Sequence, residues 1–585
     1  MSEFVKVQIG NLAERVIVRE AIAQIDSELC INCGKCRRIC PVEAIEEKQR
    51  AICRYCPDCG DSKVMLKSEQ EEFAVEHACS VGCPMGTTPE GFINLVSQGR
   101  WQDAYDSIAE LNPLPSLCAM VCSHPCTDEC KRGLLIDKSL DIRGIKRAAV
   151  ENSEHTRPLF QKNIDKRIAI VGAGPSGLTA AYNLLLKGYR VKIFEKNPQA
   201  GGMVRIGVPD FRLDKKAFLD DIKELEKAGM EIEYNAKVGT GELSVDALKK
   251  SGFSAVILAT GASKGTILPI DGYLSDKVFD AVTFMQRANS KEPVNFWKNP
   301  TKVAELGNLV VIGSGSVALD SARTALRLGA KKVTCACLES RDEMLAPEDE
   351  IKDAIDEGVQ LLTEVSPQKI LANFITVRGI EFAKVEDIDH TDGKFIPILE
   401  KNSNFELEAD SVVFAVGQRP EIAILAKNAG IETDRRGAPV LDTDLNVKGK
   451  DGVFASGDLI LKRGSIIQAM ASGRDVALQV DNMIQGRELK DRAAEHELHL
   501  AENKEKIFPI RLEKLYPRKQ EKTPLTDRDT FKLVELGFSK EEAVLEASRC
   551  MKCGFAEVDS NLCIGCNACV AGCPEHAITM IGGLR

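Results

Sequence analysis

The 585-residue chain is 44% hydrophobic, long enough for three or more domains with cores of their own. Its net charge of −10 argues against a nucleic-acid footprint. No apolar run reaches the length of a membrane span, about 18 residues, and the opening MSEFVKVQIG lacks a signal-peptide pattern, so a cytoplasmic enzyme with no membrane partner is expected.

Cysteine usage divides the chain. Of 21 cysteines, 13 precede residue 131, two (Cys335 and Cys337) lie in the long middle stretch, and six fall in the last 36 residues. A secreted disulfide protein would spread them out; tight clusters without an export signal point to metal in a reducing compartment. Residues 1–50 form a short segment carrying Cys30-x2-Cys33-x2-Cys36-x3-Cys40-Pro41. This is the bacterial ferredoxin spacing: one loop presents three thiolates to a [4Fe–4S] cube, and proline ends the loop. Residues 51–160 hold Cys53, Cys56 and Cys59, then Cys79-x3-Cys83-Pro84, then Cys118-x3-Cys122-x3-Cys126-x3-Cys130, on a background of helical periodicity. The Cys-Pro-Asp-Cys-Gly at 56–60 has the form of a zinc knuckle.

Residues 161–490 alternate short β-branched runs with helical stretches, which predicts an α/β fold with largely parallel sheets. Arg167–Val171 runs directly into Gly172-Ala173-Gly174-Pro175-Ser176-Gly177 and then a helical LTAAYNLLLKG. In such a pyrophosphate seat the first glycine turns the chain, the second admits phosphate to the backbone, and the third lets helix and strand approach. Glu195, 23 residues after Gly172, ends the next strand and is positioned to accept from a ribose hydroxyl. Leu309–Ile312 precedes a second such turn, Gly313-Ser314-Gly315-Ser316-Val317-Ala318, with alanine at the packing position.

Two nested Rossmann-like folds, a first region of 161–300 and 440–490 enclosing a second of 301–439, are the layout of an enzyme that brings a nicotinamide onto a flavin. Cys335 and Cys337, on the strand KVTCACL, are expected in the core. No C-x4-C redox disulfide follows the first strand, and no serine–histidine or paired-carboxylate arrangement stands out among seven histidines. The chemistry is therefore assigned to cofactors: hydride between nicotinamide and flavin, then single electrons through clusters.

Residues 491–548 read as a charged helical linker, and 549–585 return to cysteines: Cys550 and Cys553, then Cys563-x2-Cys566-x2-Cys569-x3-Cys573-Pro574. Asp26–Cys33 and Asp559–Cys566 share the lead Asp-Ser-x-Leu-Cys-Ile. Two arrangements are open. The ends pair into one ferredoxin-like module, Cys30, Cys33 and Cys36 with Cys573 and Cys563, Cys566 and Cys569 with Cys40; or each run closes its own cluster.

Residues 160–490 resemble the small subunit of glutamate synthase, the flavin subunit of NADH-dependent ferredoxin:NADP oxidoreductase and the N-terminal half of dihydropyrimidine dehydrogenase. The resemblance rests on Gly172–Gly177, Gly201–Pro209 with Phe211–Leu213, Ala259-Thr260-Gly261, Gly313–Asp320, Ala415–Pro420 and Gly452–Asp458. It implies FAD at the first site, held by Gly172, Gly174, Pro175, Ser176, Gly177, Glu195, Gly202, Arg205, Ala259, Thr260, Gly261, Gly457 and Asp458. Ile467, Gln468 and Ala469 would approach the isoalloxazine ring. It implies NAD(P)H at the second site, with Gly313, Gly315, Ser316, Val317, Glu339, Arg341 and Gly417. Where the family usually reads Tyr-Arg-Arg-Ser-Arg, this chain has Cys337-Leu338-Glu339-Ser340-Arg341. A carboxylate there repels a 2′-phosphate, so NAD(H) is preferred over NADP(H).

The same resemblance makes 51–160 a helical two-cluster domain. Carried over, one cluster takes two of Cys53, Cys56 and Cys59 with Cys79 and Cys130; the other takes Cys83, Cys122 and Cys126, with Cys118 or a non-cysteine as fourth ligand. The family's opener, Glu-Ala-x-Arg-Cys-x-x-Cys-Gly, stands instead at 546–554. Either Cys550 and Cys553 complete a middle cluster from across the fold, or they join the 53–59 group around another iron–sulfur or zinc centre. About four [4Fe–4S] clusters are expected. The function implied is the flavin subunit of a multi-subunit NAD(P)H–ferredoxin oxidoreductase, electron bifurcation being within the family's range, with other subunits and a ferredoxin-like carrier as partners. The alternatives are a glutamate synthase small subunit serving an amidotransferase, and a non-catalytic relay scaffold.

Overall fold

A computed structural model describes residues 3–7, 15–19, 21–27, 29–49, 78–135, 137–239, 241, 243–289, 306–389, 396–442, 445–462, 464–487, 499–500, 515–560, 563 and 566–582. Cys53, Cys56 and Cys59 lie outside the described residues. The chain divides into two compact units: one of Met1–Arg157, Asp481–Glu521 and Gly537–Arg585, the other of Pro158–Val480 and Lys522–Leu536.

The second unit holds two five-stranded sheets. The first runs, in spatial order, Val453–Ala455, Phe253–Leu258, Arg167–Val171, Arg190–Phe194 and Glu231–Glu233, every pairing parallel. The second runs Val278–Asp280, Ser411–Phe414, Asn308–Ile312, Lys332–Ala336 and Gln360–Leu362, again all parallel. Parallel sheets are covered on both faces, so their strands are continuously apolar; all but the first residue of Arg167–Val171 and of Asn308–Ile312 is buried. Val278–Asp280 joins the second sheet although it precedes residue 301: the chain enters that sheet by an edge strand too short to show periodicity. A smaller antiparallel sheet, Val365–Asn373, Thr376–Asp389, Ile396–Leu399 and Phe405–Glu408, extends this half.

Phe211-Arg212, part of the resemblance, ties the two nucleotide regions together. The Phe211 ring lies under the guanidinium groups of Arg323 and Arg327, at 4.8 and 3.9 Å from its centroid. Arg212 donates to both oxygens of Asp320 at 3.0 Å and to Glu350 at 2.5 Å. Arg323 and Arg327 are themselves held by Glu357, at 2.7 and 2.6 Å. Breaking one partner of such a buried network strands the other charges, typically at about 3–5 kcal/mol.

The first unit joins a helical layer to a terminal module. Helices Pro89–Ser97, Trp101–Ala109, Ile142–Glu151 and Lys540–Ala547 enclose one core that includes Phe92, Ile108, Ile145 and Ala543. In the terminal module the chain's two ends interleave. Ala21–Ile25 pairs antiparallel with Ile578–Gly582, and Ile45–Gln49 pairs antiparallel with Gly554–Val558. The first strand of each half thus pairs with the last strand of the other, which is a two-fold arrangement. Helices Lys35–Ile39 and Ala568–Gly572 start from matching left-handed caps, Gly34 at φ 71° and Asn567 at φ 64°. They end at Cys40 and Cys573, both extended, with ψ 116° in each. The two helices meet closely at Gly572, where a Cβ would stand 2.2 Å from the tip of the Ile39 side chain, which would have to shift. Within 491–548 the described residues hold a short helix, Lys540–Ala547, amid short strands and turns.

Among the described residues no helix is long and apolar enough to cross a membrane.

Candidate functional site

The first nucleotide seat lies at the carboxyl end of Arg167–Val171, where helix Pro175–Leu186 begins with proline in its first turn. Gly172 turns the chain at φ 109°, a conformation in which a side chain is strained, and a Cβ there would also meet the Ala259 carbonyl oxygen at 2.5 Å. Gly177 is the close-packing glycine: its Cβ would fall 2.0 Å from the Gly172 oxygen. Gly174 faces open space, the nearest atom being the Gly202 Cα at 3.9 Å. Free backbone N–H groups at a helix start beside open space suit a pyrophosphate.

Glu195 is buried and its carboxylate accepts from the Ala173 N–H at 2.8 Å and from Asn197, backbone at 2.8 Å and side chain at 2.7 Å. A carboxylate accepts about four hydrogen bonds, so capacity remains for a ribose hydroxyl. Gly457 is fixed beside Ser176, with its N–H donating to Ser472 Oγ at 2.9 Å and the Ser176 and Ser456 hydroxyls 2.8 Å apart. Ser176 and Ser456 lie within the quoted motifs, whereas Ser472 was not singled out, being ordinary outside its tertiary partner. Ser465 and Gln468 cap each other at the start of helix Ile466–Gln485: the Ser465 N–H donates to Gln468 Oε1 at 2.9 Å, and the Gln468 N–H to Ser465 Oγ at 3.4 Å. Ile467 and Ala469 are buried there and Gln468 is exposed.

Three residues of the expected FAD set carry buried polar atoms without a hydrogen-bond partner: Asp458 Oδ1, Arg205 Nε and Thr260 Oγ1. Buried polar groups are nearly always satisfied, so a concentration of orphans at one site fits a polar cofactor. Burial also raises the Asp458 carboxyl above its ordinary value.

The second seat repeats the pattern. Gly313, at φ 140°, would put a Cβ 2.6 Å from the Ala415 oxygen, whereas Gly315 and Gly417 would meet nothing within 4 Å. Ser316 opens helix Ser316–Arg327 and Val317 is 40% exposed. Glu339 is half-buried in the loop after Lys332–Ala336, and Arg341 is engaged by Glu348 at 2.8 Å. Cys335 and Cys337 are core residues, 1% and 3% exposed, and burial pushes the Cys337 thiol up to about 12.

Four groups of thiols converge in the first unit. Cys573, with Pro574, lines a pocket with Cys30, Cys33 and Cys36; Cys40 lines another with Cys563, Cys566 and Cys569. The halves exchange backbone donors as well, the Ala556 N–H pointing at Cys30 Sγ (3.4 Å) and the Ala23 N–H at Cys563 Sγ (3.5 Å). Of the two arrangements open from spacing, the structure brings together the crossed one. Burial pushes the Cys36 thiol up to about 12 and raises Cys30 and Cys33 too. Thiols held protonated by burial become good ligands only as metal arrives and their protons leave.

In the helical layer Cys118 stands with Cys122 and Cys83, and Cys126 with Cys83 and Cys122, all four buried. Cys118, one of the two options left open for the fourth member of this set, is brought beside Cys122 and Cys83. Lys146, 5% exposed on Ile142–Glu151, faces all four. Burial opposes its charge, yet the thiols, Cys122 foremost, hold its ammonium raised. Helical periodicity alone gives no signal for this lysine. The last group joins Cys79 and Cys130 to Cys550 and Cys553.

The comparisons agree with this layout. Residues 166–474 match the pyridine nucleotide-disulphide oxidoreductase family, residues 62–157 match dihydropyrimidine dehydrogenase domain II, 4Fe-4S cluster, and residues 23–46 and 555–578 each match a 4Fe-4S binding domain. The chain is 31% identical to the NADP(+)-dependent formate dehydrogenase subunit beta of Moorella thermoacetica, over 81% of this chain and 70% of that one. It is 30% identical to the NADPH-Fe(3+) oxidoreductase subunit beta of Geobacter sulfurreducens, over 81% and 75%. Against the glutamate synthase [NADPH] small chain of Mycobacterium tuberculosis the identity is 29%, over 70% and 86%. With a paired glycine-turn core flanked by iron–sulfur segments, the chain belongs to the pyridine nucleotide-disulphide oxidoreductase family and is an NAD(P)H-dependent flavin and iron–sulfur oxidoreductase.

Proposed function

We propose that this chain is the flavin subunit of a multi-subunit NAD(P)H–ferredoxin oxidoreductase, exchanging single electrons with a partner subunit or ferredoxin-like carrier through its terminal module. The observation that carries this reading is the interleaving of the two ends into one ferredoxin-like unit with two four-thiol pockets. A reductase working alone has no need of such a module. The naming of relatives as subunits supports a complex.

Bound FAD would supply the exchange between two-electron hydride chemistry and one-electron transfer. The chain's own residues hold the cofactors. Gly174 and the helix start at Pro175 receive the pyrophosphate, Glu195 accepts from the ribose, and Asp458, Arg205 and Thr260 satisfy their orphaned atoms on the flavin nucleotide. Cys30, Cys33, Cys36 and Cys573 ligate one cluster, Cys563, Cys566, Cys569 and Cys40 another, and Cys83, Cys118, Cys122 and Cys126 a third. Lys146 offsets the negative charge of that third cluster. Anaerobically purified, fully reconstituted protein should contain about 16 irons per chain, four for each of four cubes. A count near eight would sink the assignment of either the terminal module or the helical pair.

NAD(H) is the preferred nucleotide in this reading, although the three relatives named above carry NADP in their names. Coenzyme choice turns on the few residues beside the 2′ position, and there Glu339 presents a carboxylate while Arg341 is paired with Glu348. Stopped-flow reduction of the flavin should be faster with NADH than with NADPH. The double substitution Leu338→Arg with Glu339→Arg should reverse that order, by on the order of tenfold or more, since each bidentate arginine–phosphate contact contributes about 1.5–3 kcal/mol. A parent protein already reduced faster by NADPH refutes the preference.

A further inference from the structure

The fourth thiol group draws on distant parts of the chain. Cys79 and Cys550 pack with Cys130 against the core of the helical layer, and Cys79 lies within electrostatic reach of Cys130, Cys550 and Cys553. The segment that brings the last two is held rigidly on both sides. Helix Lys540–Ala547 begins at a Ser539 cap and belongs to the same helical core through Ala543 and Ala547. Glu546, fully buried, accepts from the Asp141 N–H at 3.1 Å and from Arg549 at 2.6 Å. Arg549, 1% exposed, also donates to the Lys138 carbonyl at 2.6 Å, and its own carbonyl accepts from Arg132 at 2.8 Å. Beyond Cys553, the Gly554 N–H donates to Glu90 Oε2 at 2.9 Å.

Burying an arginine this completely is costly unless its charge is paired. Nη1 is held by Glu546 and Nη2 by Asp137 and the Lys138 carbonyl, while Nε has no partner, and these bonds make the clamp a specific seat for this segment. The glutamate and arginine that flank the cysteine pair are thus structural, and the motif's distance from its usual place at the front of the helical domain is compensated by folding back.

We propose that Cys79, Cys130, Cys550 and Cys553 ligate one [4Fe–4S] cluster, completing the helical domain with a cysteine pair from the far end of the chain. The inference rests on the iron–sulfur reading above. It replaces the carried-over set in which Cys53, Cys56 or Cys59 supplies the pair, and the matched two-cluster region begins only at residue 62. Ligation exchanges four thiol protons for four iron–sulfur bonds and leaves the cube with a net negative charge. Lys131, 2% exposed, lies beside Cys553, Glu90 and Cys79. The site also adjoins the terminal module: a Cβ on Gly91, next to Glu90, would stand 2.6 Å from the Cys33 Cα. Clusters held at Cys33 and at Cys79 are therefore neighbours across the start of one helix.

The test compares two full-length variants, Cys550→Ser with Cys553→Ser, and Cys53→Ser with Cys56→Ser and Cys59→Ser. Iron and sulfide per chain should fall by about four in the first and stay at the parent value in the second. The reduced first variant should lack one of the parent's paramagnetic cluster signals while keeping its flavin. The reverse pattern, or unchanged iron in the first variant, overturns the proposal. If the first variant does not fold, alkylation of the iron-loaded parent decides: Cys550 and Cys553 should be protected until iron is chelated, then label together with Cys79 and Cys130, and labelling at the rate of free thiols beforehand overturns it. A parent lacking iron or flavin altogether refutes the functional reading instead, so the two failures are distinguishable.

Discussion

Cys573→Ala should empty the cluster site of the N-terminal run, more than 500 residues away in sequence, and leave the site of its own run occupied. Iron should fall by about four per chain. The reason is the crossed architecture: Cys573 ends helix Ala568–Gly572 and lines the pocket of Cys30, Cys33 and Cys36, while Cys40 ends Lys35–Ile39 and lines the pocket of Cys563, Cys566 and Cys569. The test lies in equivalence rather than in loss alone. Cys573→Ala and Cys36→Ala should erase the same paramagnetic signal, Cys40→Ala and Cys569→Ala the other. The double variant of Cys573 and Cys36 should lose no more iron than either single one, because removing two ligands of one cube is not additive. If Cys573→Ala instead matches Cys569→Ala, each run closes its own cluster and the two-fold module is a scaffold without exchange.

That outcome was left open by spacing for a physical reason. A C-x2-C-x2-C-x3-C-P run has the same local geometry whether its last thiol turns to its own cube or to its neighbour's; the long-range strand pairings of Ala21–Ile25 with Ile578–Gly582 and of Ile45–Gln49 with Gly554–Val558 bring the second run within reach. The nucleotide seats were legible because everything that makes them is local: a buried strand, a glycine at positive φ, and a helix start follow one another within a dozen residues. The α/β class followed from the same alternation. The helical region was legible as a cysteine-rich layer but not as ligand sets. Lys146 gains its meaning from four thiols on other segments, and Cys550 gains its partners from a clamp built on Arg132, Lys138 and Asp141. Neither leaves a periodic trace. Ser472, which accepts from the Gly457 N–H, is of the same kind, chosen by tertiary contact and invisible to motif.

The glycines of the first seat separate folding from cofactor binding, and two substitutions there should lose the flavin for different reasons. Gly177→Val sets a Cβ where the Gly172 oxygen now lies, at 2.0 Å, and that atom is backbone of the turn itself. Helix Pro175–Leu186 must move off the strand Arg167–Val171, undoing the contact that aligns its first N–H groups with the seat. Overpacking typically costs about 1–3 kcal/mol where side chains can yield, and here the neighbour cannot. Flavin content should fall by a factor of ten or more, since about 1.4 kcal/mol is tenfold in affinity, and the flavin-free protein should melt at a lower temperature than the flavin-free parent. Gly174→Ala is the contrast. Its φ of −81° suits any residue and nothing stands within 3.9 Å of the new methyl group, so the flavin-free protein should melt with the parent. The methyl group nevertheless fills the space through which phosphate would reach the backbone, and flavin content should still fall. Flavin retained at the parent level in Gly174→Ala would show that the pyrophosphate does not approach this turn, and would overturn the assignment of Gly172–Gly177 as the FAD seat.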